Sequence, residues 1–270
     1  VRSRDDQYYD TSYEAANEMR RGGCDRMSRK RGSERAAVRI ARRLVDEIRR
    51  RRLRPGTQLD AEHRMIDELG ASRATVREAL RFLELQGALR IKAGPGGGPV
   101  VSVPGADHLA SVLSLHLQFA DASFRSVVVA RCSIYPVLAA EAAANASPED
   151  VSTLHESLAR LHEGQHDPEL FVDEARRFMN LIASASGNRV LAVLVEALHR
   201  MSGEKSAAWD ERQRRSALRS YERVVQAIDA GEGEEARRVM AQSMDAALRS
   251  AERMAPDQLK RPIAWIAADR

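Results

Sequence analysis

The chain has 270 residues, 43% hydrophobic, 30% charged and 4% aromatic, with a formal net charge of +4. That length gives one large or two modest domains, each able to bury a core, and the composition suits a soluble, helix-rich protein. No run approaches the ~18 consecutive apolar residues of a membrane span, the N-terminus lacks the apolar stretch of an export signal, and Cys24 and Cys132 lie far apart in no zinc spacing, so a cytoplasmic protein without metal or membrane attachment is expected.

Residues 1–32 are polar and Arg-rich, have no sustained apolar period, and read as a disordered extension. Arginine greatly outnumbers lysine, as in proteins from G+C-rich genes, and Met27 stands just before periodicity begins, so translation is expected to start there. Residues 33–104 hold 15 Lys+Arg against 9 Asp+Glu, whereas residues 105–270 hold 20 against 24. A basic segment joined to a mildly acidic one points to a polyanion-binding module attached to something else.

The first predicted helix runs from about Glu34 to Arg51, with Ala37, Ala41, Leu44, Val45 and Ile48 at helical spacing. Pro55-Gly56 breaks it, and Leu59 falls in a short extended piece. Asp60 is the expected N-cap of a second helix that stops at Gly70, and Ser72 caps a third with Val76, Leu80 and Leu83 as its apolar stripe. Leu89 and Ile91, the turn AGPGGGP and Val100 to Val103 read as a two-stranded hairpin. Beyond Pro104 the sequence is rich in Ala and Leu with helical periods and no convincing strand. Ser147-Pro148 and Asp167-Pro168 are clear helix starts. Breaks near Gly187, Ser202 and Gly231 divide residues 107–252 into six or seven helices, enough for an antiparallel bundle. A tail over residues 253–270 carries Ile263, Trp265 and Ile266 and reads equally well as packed or loose.

The glycine run lacks the Gly-Lys-Ser/Thr and following helix of a phosphate loop, and instead leads into a valine-rich strand. A hairpin tip fits it better. In the third helix Ser72 at the cap places Arg73 and Thr75 in the first turn and Arg77 one turn on, all opposite the apolar stripe. An exposed helix N-terminus carrying arginine is what reading a DNA groove requires.

Residues 35–103 resemble the winged helix-turn-helix domain of the GntR family of bacterial transcription regulators, in the run LRPGTQLDAEHRMIDELGASRATVREALRFLELQGALRIKAGPGGGPVV. The resemblance implies DNA contacts from Ser72, Arg73, Thr75 and Arg77, and a wing glycine, Gly97 or Gly98, near the minor groove. The position after Glu62, often a phosphate-binding arginine in the family, is His63, with Arg64 as a possible substitute.

The helical half is similar to the ligand-sensing FCD domain of the FadR subfamily, in RCSIYPVLAAEAAANASPEDV, RFMNLIASASGNRVL and YERVVQAIDAGEGEEARRVM. Members commonly hold a metal with one Asp and three His. Those four positions match Ala175, Met179, Tyr221 and Ser243, so no metal and no cofactor are expected. Arg131 matches a family arginine. With Tyr135, Arg176 and those four positions it forms the expected effector site.

HEGQH, His162 to His166, satisfies a metalloprotease pattern, but Gly164 and Asp167-Pro168 place it across a helix–helix turn. A metallohydrolase is therefore the weaker reading, and only four lysines argue against a fused Schiff-base cofactor domain. A nucleoid-type binder without operator preference is a third class. The expectation is a mainly α protein: a winged helix-turn-helix at 33–104 and an all-α effector and dimerisation domain at 107–252. It would bind a palindromic operator as a homodimer, as a repressor released by a largely apolar metabolite such as a fatty acyl compound. A small carboxylate or sugar acid is the alternative effector.

Overall fold

The computed structural model describes residues 35–94, 96–202 and 209–267. The extension expected over residues 1–32 and the start proposed at Met27 lie outside them. The chain divides into two compact units, with the boundary between Pro104 and Gly105.

The first unit opens with α1, residues 35–50, followed by α2 (Glu62–Leu69), α3 (Arg73–Leu85), β1 (Leu89–Lys92) and β2 (Gly98–Val101). Ile40 and Leu44 of α1, Met65 of α2, Val76, Leu80 and Leu83 of α3 and Leu89 of β1 are buried in one core. The helical spacing of these residues thus becomes one apolar face per helix. Gly70 ends α2 in the left-handed region, at φ 59°. Ser72 caps α3 by accepting from the Thr75 amide at 3.2 Å. Asp60 does not cap α2. The N-cap is Ala61, and the Asp60 carboxylate lies 3.6 Å from Arg64 and 3.9 Å from Arg51.

β1 and β2 pair antiparallel, Leu89 opposite Val101 and Lys92 opposite Gly98. The segment around Thr57 runs along the other side of β2: the Val101 amide donates to Thr57 O and the Leu59 amide to Pro99 O, each at 2.9 Å. The hairpin is thereby flanked as in a three-stranded arrangement, which a lone two-stranded ribbon needs for stability.

The second unit contains α4 (Ala106–Phe119), α5 (Phe124–Asn145), α6 (Pro148–Glu163), α7 (Pro168–Ala185), α8 (Arg189–Met201), α9 (Glu211–Asp229), α10 (Gly233–Met254) and the short α11 (Pro256–Lys260). Ser147 forms a capping box with Asp150, and Asp167 caps α7. α5 is the spine, with α7, α8, α9 and α10 packed around it and α10 the most extensive partner. By length and composition α5 is also long and apolar enough to cross a membrane. It carries Arg131 and Glu141, however, and buries Tyr135, Leu138, Ala139 and Ala142 against its neighbours. α6 and α9 run antiparallel, since His155 faces Asp229 and His162 faces Glu222.

The tail is packed. Ile263 is buried with α4, α5 and α8, its amide donates to Ala122 O, and the Trp265 indole donates to Ser111 Oγ at 3.1 Å.

Candidate functional site

Two groups of residues carry the chemistry, one in each unit. In the first unit α3 presents an exposed N-terminus with no acidic residue in its first turn. Ser72 Oγ lies 2.8 Å from Thr75 Oγ1 as well as accepting the Thr75 amide, so both polar residues are ordered before any ligand arrives. Arg73 and Arg77 project to solvent, with side chains 79% and 57% exposed. Both lean toward one carboxylate: Glu62 Oε1 lies 3.4 Å from Arg73 Nε and 4.0 Å from Arg77 Nε. Exposed pairs of this kind add little stability. They do place both guanidiniums beside one carboxylate.

His63 is exposed on the first turn of α2, and Arg64 is turned toward Asp60 rather than toward α3. At the wing, Gln58 Nε2 donates to Gly96 O at 2.8 Å and to Gly97 O at 3.2 Å. A Cβ on Gly97 would stand 2.2 Å from Lys92 O, so only glycine allows this tip. Gly98 begins β2. The sequence singles out Ser72, Arg73, Thr75, Arg77, Gly97 and Gly98. Gln58, and the use of Glu62 as a clamp, are visible only once the chain is folded.

In the second unit Tyr135 and Tyr221 are buried in one core with Ala175 and Met179. Tyr221 stacks against Phe178 with ring centroids 4.7 Å apart. Arg131 Nη1 donates to Ser202 Oγ at 2.7 Å, and its Nε is buried with no hydrogen-bond partner. Tyr135 Oη lies 3.1 Å from His199 Nδ1. Burial, reinforced by Arg131 and Arg176, pushes the His199 imidazole down to about 2, so the ring is neutral. Burial also raises both tyrosine hydroxyls above the ordinary phenol range, Arg131 opposing the rise, and lowers the Arg131 guanidinium from its usual value. Arginine remains a cation even so. Arg131, Tyr135, Arg176 and Tyr221 therefore form one electrostatic group. Ser243 is half-buried on α10, and among the described residues no hydrogen bond joins it to them. His199 and Ser202 join unannounced by any motif. Their one sequence signal is a polar pair, His199 on the face of α8 that also carries Val195 and Leu198, and Ser202 at the C-cap of that helix.

The four positions matched to a metal set do not fit one. Ala175 and Met179 are buried without a hard donor, and Tyr221 is held as a neutral phenol. Glu174 is engaged by Ser157 Oγ and by Arg160 Nε at 3.1 Å. HEGQH straddles the turn from α6 to α7, where His162 lies 2.8 Å from Glu222 and His166 falls beyond the end of α6. The metalloprotease pattern therefore has no continuous helix to act from.

Residues 36–98 match the bacterial regulatory proteins of the gntR family, and residues 126–246 match the FCD domain. The chain is a GntR–FCD transcriptional regulator. It is 27% identical to the HTH-type transcriptional regulator Mce2R of Mycobacterium tuberculosis (strain CDC 1551 / Oshkosh), over 66% of this chain and 75% of that one. It is 25% identical to the HTH-type transcriptional regulator LutR of Bacillus subtilis (strain 168), over 72% and 90%. The solved structure of Streptococcus agalactiae GntR aligns with 80% of this chain and 100% of its own, with a TM-score of 0.64 and 21% identity, a likeness of fold. The GntR–FCD regulator binds DNA and is not an enzyme.

Proposed function

We propose that the protein is a ligand-responsive repressor that binds a palindromic operator as a homodimer and releases it when a small metabolite enters the helical bundle. One observation carries the operator half of this reading: Arg73 and Arg77 stand at the exposed N-terminus of α3, aimed by Glu62. Arginine is the side chain that pairs bidentately with guanine O6 and N7, and a neighbouring carboxylate that limits its directions favours that geometry. The wing glycines, tied down by Gln58, supply a second and narrower contact.

A second copy is supported by an apolar face in the helical unit. Val112, Leu115 and Phe119 are exposed at successive turns of α4, Phe119 by 85%, and Val190 and Val193 are exposed on α8, which packs against α4. An isologous contact about a two-fold axis sets this face against itself and gives two reading heads for two half-sites. Ala175, Phe178 and Met179 supply apolar surface for an effector with a sizeable hydrocarbon part, which gains about 25 cal/mol per Å² buried. Effector binding then shifts the population of dimers able to span both half-sites.

The test is selection of genomic DNA fragments by the purified protein, followed by footprinting. A protected palindrome with an abrupt dependence on protein dimer concentration is expected. Uniform retention of all fragments, with no footprint, would identify a nucleoid-type binder instead.

A further inference from the structure

The buried side chains of the second unit fall into two groups. The main core takes α5, α6, α7, α9, α10 and part of α8, and among the described residues no side chain of α4 or of the tail belongs to it. α4 and the tail share a smaller core, with Ala106 and Ala110 of α4, Val127 of α5, Leu198 and Met201 of α8 and Ile263 of the tail. α4 is weakly held there. Its buried residues are Ala106, Ala110 and Ser114, whose small side chains remove little apolar area from water, and Leu109, Leu113 and Leu117 are only partly covered.

The tail supplies what α4 lacks. From Arg261 it runs antiparallel to α4, back toward the start of that helix. The Phe124 amide donates to Arg261 O at 2.8 Å and the Ile263 amide to Ala122 O at 3.0 Å. The Trp265 amide then donates to Gln118 Oε1 at 2.7 Å, and the Ile266 amide to Ser114 Oγ at 3.1 Å. The Trp265 indole completes the run on Ser111 Oγ. Ser111, Ser114 and Gln118 thus line one stripe of α4, at the three- and four-residue spacings that bring helical side chains together. Ser114 is fully buried, and the amide it accepts accounts for a hydroxyl in that position.

This fastening differs in kind from a core. Residues 261–267 form no helix or ladder, only an isolated bridge between Pro262 and Ser123. Gln118 is exposed and Ser111 half-buried, and hydrogen bonds so placed are the first to open in local unfolding. Opening them frees α4 without breaking into the main core.

We propose that residues 261–267 are a releasable strap. Fastened, they hold α4 on the bundle with Val112, Leu115 and Phe119 turned outward; released, α4 leaves its place while α5 to α10 stay folded. The strap is thereby a control on self-association, a consequence that rests on this face of α4 being the second-copy contact.

The test is hydrogen–deuterium exchange read by mass spectrometry on the full-length protein. The wild type is compared with the double variant Ser111→Ala, Gln118→Ala and with a triple variant that adds Ser114→Ala. Amides of α4 and the tail should exchange about tenfold faster or more in the variants, with those of α6, α7 and α9 unchanged. The double variant alters no fully buried residue and covers the case in which the triple variant does not fold. Exchange is followed at two protein concentrations about a hundredfold apart, because a change in self-association depends on concentration and a change in the strap does not. Wild-type protection of α4 in every folded variant would overturn the proposal. So would exchange of α4 and the main core together, which would make the tail part of one cooperative core. Sedimentation velocity in parallel should show a weaker dimer. Faster exchange in α4 with an unchanged dimer would support the strap and move the second-copy contact elsewhere.

Discussion

Glu62 at the start of α2 and Arg73 at the start of α3 meet across the helix-turn-helix, with Oε1 and Nε 3.4 Å apart although eleven residues separate them in the chain. The same oxygen is 4.0 Å from Arg77 Nε. One carboxylate thus lies against both of the arginines proposed to meet DNA.

Substitution of either arginine should therefore be read on two DNAs. Arg73→Ala and Arg77→Ala are each expected to cost about 1–3 kcal/mol on the selected operator and less on scrambled duplex. Glu62→Gln should raise affinity for any duplex, since a negative charge leaves the interface, while narrowing the gap between operator and scrambled DNA. Fluorescence anisotropy at two salt concentrations measures both effects. Equal losses on both duplexes would mean that the arginines hold only phosphate.

The wing makes a separate prediction. Gln58→Ala removes two donations to the tip, worth about 0.5–1.5 kcal/mol each in a favourable setting. Operator affinity should fall several-fold with little change in melting temperature, because Gln58 is exposed. Gln58→Glu cannot donate and should behave no better. If both variants bind like the wild type, the tip needs no fastening.

The apolar face of α4 predicts the state of assembly. Phe119→Glu is expected to shift the protein from dimer to monomer in sedimentation velocity and to weaken operator binding by the loss of effective concentration. A fragment spanning residues 35–104, which has its own core, should bind a single half-site weakly and with a shallower salt dependence. A dimeric Phe119→Glu protein would move the interface elsewhere.

The buried imidazole sets a pH dependence. His199 titrates near 6.5 in an unfolded chain, whereas burial holds it down to about 2 in the fold. Between those values the unfolded chain binds a proton that the native bundle refuses, so stability falls as pH drops below about 6.5, by at most about 1.4 kcal/mol per unit. Urea unfolding at pH 7.5, 6 and 5 should show that decline, and His199→Gln should flatten it. An unchanged slope in the variant would mean that another group is responsible.

Much of the first unit was legible in the sequence because its signals are local. A cap at Ser72, a left-handed stop at Gly70 and an apolar stripe of Val76, Leu80 and Leu83 need only neighbours in the chain. Asp60 shows the limit of that logic. It has the right chemistry for a cap, but two arginines compete for its carboxylate and Ala61 takes the position. The polar group around Arg131 was half visible. Arg131, Tyr135, Arg176 and Tyr221 could be named, but Ser202 and His199 come from a helix more than 60 residues away, and no spacing rule spans that distance. The tail was undecided for a related reason: Trp265 and Ile263 find their partners on α4 and α5, far back along the chain.

Gln58 and Glu62 stand four residues apart, on the stretch where the extended piece beside β2 turns into α2. The first holds the wing tip and the second lies against the arginines of α3, so this short junction sets the spacing between the two elements proposed to meet DNA. Loops that tolerate length change are common on protein surfaces, but this one has no slack. A single inserted residue between them would displace one from the other by a full step of the chain, about 3.3 Å or more, and rotate Glu62 off the arginines. This segment therefore has to keep its length as well as the packing of Leu59 on the core and the Asp60 contacts with Arg51 and Arg64.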